Sequence, residues 1–213
     1  MRFEDLKALV WRGNATHSLP VIPTGYAALD RALPGGGWPQ GAVTEIYLDR
    51  YGIGELGLLI PALNELTRRD RAVEKKWIII IAPPFIPYAP ALAQHGVAVE
   101  RVLLVHPAKT AKDCLWAAEQ AVRSGSSVAV LAWIKAADGV ALRRLQIAAE
   151  AQCCWTVLFR PSHALHERSP AALRAQLAIE QSAPRLTIHK CRGGRPGVVS
   201  LQMQEPAGAS SAC

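Results

Sequence analysis

The sequence lacks any apolar segment long enough to cross a membrane. Runs such as Trp77–Ala82, which continues into two prolines, are far shorter than the roughly 20 residues that a membrane-spanning helix requires. A secretory signal is also absent from the amino terminus, because residues 1–13 include acids and place Phe3, Leu6 and Val10 at helical spacing. These two absences predict a cytoplasmic protein.

Cysteine is sparse, and its spacing matches no known site. The five cysteines, of which Cys153 and Cys154 are adjacent, form neither a metal-binding pattern nor an even disulfide framework. They are expected to be reduced core thiols, as in a reducing compartment. The histidines show no metal-ligand spacing and no Ser/His/Asp set is recognisable, so neither a metal site nor a nucleophile is predicted.

A phosphate-binding loop is missing where the surrounding sequence predicts one. Residues 22–47 contain turn glycines and a Gly-Gly-Gly passage before a short strand, as in the approach to a nucleotide-binding loop. The loop that follows keeps Gly52 and Gly54 but lacks the Lys that reaches the outer phosphates and the Ser or Thr that holds magnesium. Asp49 and Glu55 add negative charge where a polyphosphate would bind. No nucleotide cofactor is therefore predicted.

The charge of the chain is unevenly distributed. Lys and Arg number 24 against 17 Asp and Glu, a formal net charge of +7. Residues 1–100 hold ten basic and ten acidic residues, so residues 101–213 carry the whole excess. Seventeen of the basic residues are Arg, whose planar guanidinium favours paired contacts to phosphate or carboxylate. The basic half indicates nucleic acid or an acidic protein as partner, with a solvated face as the alternative.

The periodicity predicts an α/β fold, because short runs that are apolar on both faces alternate with helical stretches. Strands are predicted at Val43–Leu48, Trp77–Ala82, Arg101–Val105, Ser127–Trp133 and Trp155–Arg160, and helices at about Glu55–Arg69, Tyr88–His95, Ala111–Ser124 and Val140–Ala151. After Pro170 the period changes to two, which predicts a C-terminal antiparallel meander with a hairpin turn at residues 191–197.

The length of 213 residues fits one packed domain. That domain is placed at residues 19–204. An N-terminal helix or extension is predicted at residues 1–18, and the small polar residues 205–213 are expected to form a disordered tail.

Several segments of this chain resemble a known family. The segments IPTGYAALD, GGG and PQGAVTEIY are similar to the approach to the ATPase core of RecA. More specifically, ALPGGGWPQGAVTE, GIGELGLLIPAL, APPFIPYAPAL and CLWAAEQAVRSG resemble ImuA, an accessory protein of SOS-inducible mutagenesis. The resemblance extends over about residues 11–203. It implies a RecA-like core with a mostly parallel central sheet flanked by helices.

The resemblance also implies that three catalytic parts of RecA-type enzymes are absent. The position of the loop Lys falls on Gly54 or, after a shift of one residue, on Glu55. The acid expected after the second core strand is missing from residues 81–85, and Ala132 stands where the central strand would end in a magnesium-supporting Asp. The chain is therefore predicted to be a degenerate ATPase without catalytic residues.

Seven residues are candidates for contacts to DNA or to a partner protein. Arg143 and Arg144 are predicted to point to solvent, because their helix buries a stripe on its other side. The remaining candidates are Arg168, Lys190, Arg192, Arg195 and Trp38. For the basic residues, contact with DNA, contact with a protein and a solvated face all stay open.

The tryptophans are divided between a surface role and the core. Trp38 lies in the Gly-rich turn and is predicted to be an exposed stacking platform. Trp77, Trp116, Trp133 and Trp155 are predicted to be core residues.

The function implied by the resemblance is that of a non-catalytic adaptor in SOS-induced translesion DNA synthesis. Its partners would be an ImuB-like protein and an error-prone polymerase, with RecA and DNA as further contacts. Two alternatives stay open: a SulA-like inhibitor of the division GTPase FtsZ, and an active DNA-dependent ATPase with a divergent loop.

Overall fold

The computed structural model describes residues 20–69, 76–107, 110–180 and 183–201. The predicted N-terminal helix at 1–18 and the predicted tail at 205–213 lie outside these residues. The placement of a single domain at 19–204 stays a prediction.

The core of the described structure is an eight-stranded sheet of order β10-β9-β8-β3-β7-β6-β4-β5. Its strands are β3 (Val43–Leu48), β4 (Trp77–Ile81), β5 (Val102–Val105), β6 (Ser127–Trp133), β7 (Trp155–Pro161), β8 (Leu173–Glu180), β9 (Ala183–Cys191) and β10 (Gly197–Ser200). The strands from β8 to β5 in this order run parallel, and β9 and β10 add antiparallel pairs at one edge. A separate two-stranded sheet pairs β1 (Val21–Ile22) with β2 (Trp38–Pro39).

Helices cover both faces of the parallel strands. One face packs against α1 (Ala27–Ala32), α2 (Ile60–Arg69) and α3 (Ala89–Gln94), and the other against α4 (Ala111–Arg123) and α5 (Gly139–Gln152). All residues of β3 and β6 are buried, as strands covered on both sides must be. None of the helices in the described ranges is long and apolar enough to cross a membrane.

The predicted α/β class and the five predicted core strands are confirmed. Both Val43–Leu48 and Ser127–Trp133 have the predicted bounds. The helix predicted from Glu55 begins instead at Ile60, because residues 54–59 form turns closed by backbone bonds such as Leu58 N–H to Gly54 O at 3.0 Å.

The C-terminal meander is also confirmed, and its first strand has a double role. β8 pairs in parallel with β3, with Thr44 opposite Leu173, and antiparallel with β9, with Leu177 opposite Leu186. Period two predicts the strand but cannot distinguish these two kinds of neighbour. β8 therefore joins the parallel core to the antiparallel edge.

Candidate functional site

The degenerate phosphate loop follows β3 at the carboxyl edge of the sheet and holds an anion of its own. Both carboxylate oxygens of Glu55 accept hydrogen bonds from the backbone N–H of Gly52, at 3.0 and 3.1 Å. Glu55 is 4% exposed, so this carboxylate lies inside the loop. In a working phosphate loop, such backbone N–H groups face the nucleotide phosphates. In this chain the carboxylate of Glu55, and not a phosphate, accepts from the N–H of Gly52.

The loop is flanked by the segment after β4 and by a small cavity. Gly52 has a φ of +81°, and a Cβ at this position would lie 3.1 Å from Cε2 of Phe85, so the loop and the segment after β4 approach closely. Beside the loop lies a cavity of about 200 Å³, which is lined by Asp49, Arg50, Ile53, Leu177, Ala178 and Ile179. Ligand pockets usually enclose about 300 Å³ or more.

The two other positions predicted to lack catalytic groups are filled by small and apolar residues. Ala82 follows β4 with a left-handed φ of +50°, and its N–H donates to Val105 O at 2.9 Å. Ala132 is fully buried near the end of β6, and the next residue, Trp133, stacks on Phe159 with ring centroids 4.4 Å apart. Neither position supplies a carboxylate.

A buried ionic cluster links β3, β7 and β8, and no pattern in the sequence predicts it. Glu45 and Arg160 have no exposed side-chain surface and form an ion pair of 2.9 Å. The second oxygen of Glu45 accepts from Arg174 Nε at 3.1 Å and from the Tyr47 hydroxyl at 2.8 Å. Burial and the neighbouring Glu45 carboxylate raise the pKa of Tyr47, which stays protonated as a donor.

The same cluster fastens the segment between β7 and β8. Arg160 also pairs with Glu167 at 2.7 Å, and Arg174 donates to the carbonyl of Leu165 at 2.9 Å and to that of Glu167 at 3.0 Å. Burial disfavours the charged form of Arg160, but the hydrogen bonds and charges of Glu167 and Glu45 outweigh burial and raise its pKa. The segment that carries Arg168 is thus held by charged hydrogen bonds.

Arg143 and Arg144 lie exposed on α5, as predicted. The predicted stripe of Leu142, Leu145 and Ala149 is buried under them. Arg144 is engaged within the protein, since its guanidinium lies 3.2 Å from a carboxylate oxygen of Glu119 on α4. Arg143 has no acidic partner among the described residues.

The four other basic candidates lie around the β9–β10 hairpin. Lys190 Nζ donates to the carbonyl of Ser169, next to Arg168, at 3.0 Å. Arg192 forms an ion pair of 3.1 Å with Glu150, in the last turn of α5. Because β9 runs antiparallel to β8, this hairpin lies at the amino edge of the parallel strands, opposite the phosphate loop.

Positive charge at the hairpin is only partly compensated. Burial and the charges of Arg174 and Arg192 lower the pKa of Lys190. Burial and Arg174 likewise lower the pKa of His189. Arg195 is exposed in the turn and has no acidic partner within the described ranges. An anion placed here would relieve the repulsion among these cations. We call this set, Arg168, Lys190, Arg192 and Arg195, the hairpin surface.

Trp38 is not an exposed platform, and that prediction is wrong. Its side chain is fully buried and packs on Trp155 with ring centroids 5.9 Å apart. The cause is the pairing of β1 with β2, in which Ile22 lies opposite Trp38. This pairing draws the turn onto the core and takes Trp38 out of the candidate contacts.

The core assignment of the other tryptophans is half right. Trp133 and Trp155 are buried, as predicted, whereas Trp77 is 42% and Trp116 is 64% exposed. Trp116 follows the buried Leu115 on α4, and adjacent helical residues point about 100° apart because a turn takes 3.6 residues. The exposed tryptophans therefore lie on α4 and at the start of β4, and not in the Gly-rich turn.

Two bacterial proteins share sequence with this chain. It is 28% identical over 211 residues to the protein ImuA of Caulobacter vibrioides, in each of two strains, and the match covers 87% of this chain and 84% of that protein. It is 35% identical over 114 residues to RecA of Oceanobacillus iheyensis, which covers 53% of this chain and 30% of that protein. No protein-family model matches the chain.

Proposed function

We propose that this chain, which is 28% identical to ImuA over 87% of its length and has a RecA-like α/β core, is a non-catalytic accessory protein of SOS-induced translesion DNA synthesis. The partners in this proposal are an ImuB-like protein and an error-prone polymerase, with RecA as a further contact. Similarity along 87% of the chain supports the accessory role. The resemblance to RecA alone would have favoured an ATPase.

The observation that argues against ATP turnover is the bond between Glu55 and Gly52. A triphosphate entering the loop would have to displace a carboxylate bound by two hydrogen bonds of 3.0 and 3.1 Å. It would also meet the charge of that carboxylate in a partly buried site, where like charges repel strongly. No Lys of the loop compensates, since residues 48–56 contain Arg50 as their one basic residue.

Calorimetry with magnesium and ATP tests this part of the proposal. We expect no saturable heat up to a nucleotide concentration of about 1 mM, with a RecA protein as positive control. Micromolar affinity for ATP would contradict the proposal and favour the DNA-dependent ATPase.

Copurification tests the accessory role separately. A tagged form of the full chain, isolated from DNA-damaged cells of its own species, is expected to retain the ImuB-like protein. Failure to retain it, with normal expression of both proteins, would contradict the role in translesion synthesis even if no ATP binds. Arrested cell division on expression would favour the SulA-like alternative.

We further propose that the hairpin surface contacts DNA through its phosphates. Four basic side chains lie around this hairpin, Arg195 among them without an acidic partner in the described ranges, and a polyanion would compensate their charge. The Arg side chains of this surface suit the role, because one guanidinium group can donate to two phosphate oxygens at once.

A further inference from the structure

The outer faces of α4 and α5 form a surface on which basic and large apolar side chains alternate. Both helices cover the same face of the sheet and connect parallel strands, so they run side by side in the same direction. Glu119 bridges them, with Arg123 Nε at 3.2 Å on its own helix and Arg144 at 3.2 Å on α5. The two helices also share a buried apolar cluster that includes Ala118 and Leu145.

Three apolar side chains on this surface are unusually exposed. Trp116 on α4 is 64% exposed, and Val140 and Ile147 on α5 are 69% and 51% exposed. Trp116 precedes Glu119, and Val140 precedes Arg144, by about one helical turn each. Because Glu119 and Arg144 are in contact, Trp116 and Val140 lie at the same end of the surface. Exposed tryptophan is a common centre of binding energy in protein interfaces.

Most of the exposed charge on the surface is positive. Lys112, Arg123, Arg143 and Arg144 are exposed on the two helices. The two helices also carry Asp113, whose carboxylate accepts from the hydroxyl of Thr110, and the exposed Glu150, which pairs with Arg192 at 3.1 Å. The acid between the helices, Glu119, is 6% exposed, and both of its oxygens are engaged by arginines. Asp138 is used inside the fold, since its carboxylate accepts from the N–H of Ala141 at 2.7 Å as the helix cap. Neither Lys112 nor Arg143 has an acidic partner among the described residues.

We propose that this surface, defined by Lys112, Trp116, Arg123, Val140, Arg143 and Ile147, binds an acidic amphipathic segment of a partner protein. Carboxylates of that segment would pair with the uncompensated Lys112 and Arg143, which gives the complementarity of charge that steers association. Its apolar residues would cover Trp116 and the two aliphatic side chains, as a helix laid on a hydrophobic face does.

The apolar component favours a protein segment over a nucleic acid. Val140 and Ile147 have no aromatic face on which a base could stack and no donor for a phosphate. The occupant therefore has to carry both carboxylates and apolar side chains. This surface is separate from the phosphate loop, so its partner need not be one of those proposed above.

Titration of the full-length protein with a 16-residue helical peptide, which carries Asp and Glu on one side and Leu and Phe on the other, tests the proposal. We expect saturable binding by calorimetry and a change in tryptophan fluorescence. Trp116→Ala and Arg143→Glu are each expected to weaken binding at least tenfold. A peptide with Lys in place of the acids is expected not to bind.

Two matched variants control for general effects. Trp77→Ala removes another exposed tryptophan, and Arg31→Glu reverses an exposed arginine on the other face of the sheet. Both are expected to bind the peptide within twofold of the wild type, and circular dichroism checks that all four variants fold. Absence of peptide binding, or equal losses in the controls, would overturn the proposal. Binding of a 16-nucleotide dT strand that Trp116→Ala weakens tenfold would overturn it in favour of a nucleic-acid surface.

Discussion

Glu45 and Arg160 are charged residues placed where neither side chain reaches water. Each has 0% exposed side-chain surface, and each depends on the other and on Arg174, Tyr47 or Glu167 for compensation. Such a cluster adds little to stability relative to an apolar core, but the loss of one member leaves an uncompensated buried charge. Substitution of one member is therefore expected to lower the free energy of unfolding strongly. The cluster also joins β3, β7 and β8, because its members come from all three strands.

Glu45→Gln is expected to lower the free energy of unfolding by about 3–5 kcal/mol, because Arg160 would keep its charge without an acidic partner on β3. Urea denaturation followed by circular dichroism measures the loss. Glu65→Gln is the control, since Glu65 pairs with Arg68 and Arg69 on the exposed side of α2, where ion pairs contribute about 1 kcal/mol or less. Equal small losses in both variants would contradict the buried cluster.

His189 is expected to make stability depend on pH. Burial and the charge of Arg174 lower its pKa in the folded protein below the ordinary value of about 6.5. Because its pKa is higher in the unfolded chain, His189 binds a proton there at a higher pH than it does in the folded protein. The contribution of neutral His189 to the free energy of unfolding is therefore present above pH 6.5 and is lost as the pH falls. His189→Gln is therefore expected to show a smaller drop in the free energy of unfolding between pH 7 and pH 5.

The measurement for His189 is urea denaturation at both pH values. His163→Gln, which replaces an exposed histidine in the segment after β7, is the matched substitution. If the free energy of unfolding of His189→Gln falls between pH 7 and pH 5 as much as that of the wild type, a group other than His189 causes the pH dependence.

At the scale of single elements, the strands and helices were largely predictable from the sequence and some side-chain positions were not. β3 and β6 have the predicted bounds because runs apolar on both faces have few other solutions. Trp38 was misassigned because its burial depends on pairing between two-residue strands, for which no periodicity exists. The two arginine partners of Glu45 lie 115 and 129 residues away, so the ion pairs of the cluster had no local signal.

The loop from β3 to α2 depends on Glu55. Replacement by Gln removes the charge that strengthens two hydrogen bonds to the N–H of Gly52, and charged hydrogen bonds contribute about 1.5–3 kcal/mol against about 1 for neutral ones. Glu55→Gln is therefore expected to lower the free energy of unfolding by about 1 kcal/mol. Chemical denaturation measures it, with Glu100→Gln on the surface as control. A stabilised Glu55→Gln protein would show that the carboxylate is strained and not satisfied.

At the scale of the whole molecule, the surplus charge and the phosphate loop lie apart. The basic excess belongs to residues 101–213, and the hairpin surface lies at the sheet edge opposite residues 48–56. The sequence predicted the excess of charge but not where it concentrates. Lys190 reaches the carbonyl of Ser169, next to Arg168, only through the pairing of β8 with β9 and the folding back of the segment between β7 and β8.

Lys190→Gln combined with Arg195→Gln is expected to weaken binding of single-stranded DNA and to reduce the dependence of log K on log salt by about 1.4, since each phosphate contact to a single strand contributes about 0.7. Fluorescence anisotropy at several salt concentrations measures both. The control is Arg50→Gln combined with Arg68→Gln, which also removes two positive charges but lies outside the hairpin surface. Equal changes in the two double variants would show a diffuse effect of net charge and contradict a defined DNA contact.

The carboxylate of Glu55 also bears on how the protein would be controlled. A nucleotide-dependent protein alternates between two shapes as the anion in its loop is bound, cleaved and released. In this chain the carboxylate that accepts from the loop N–H belongs to a side chain of the loop itself, so under the proposed function no bound nucleotide is needed there and none is released. Under the proposed function the protein would then assemble with its partners at equilibrium, and the amounts of the proteins present, rather than an energy-consuming cycle, would set how much of the complex forms.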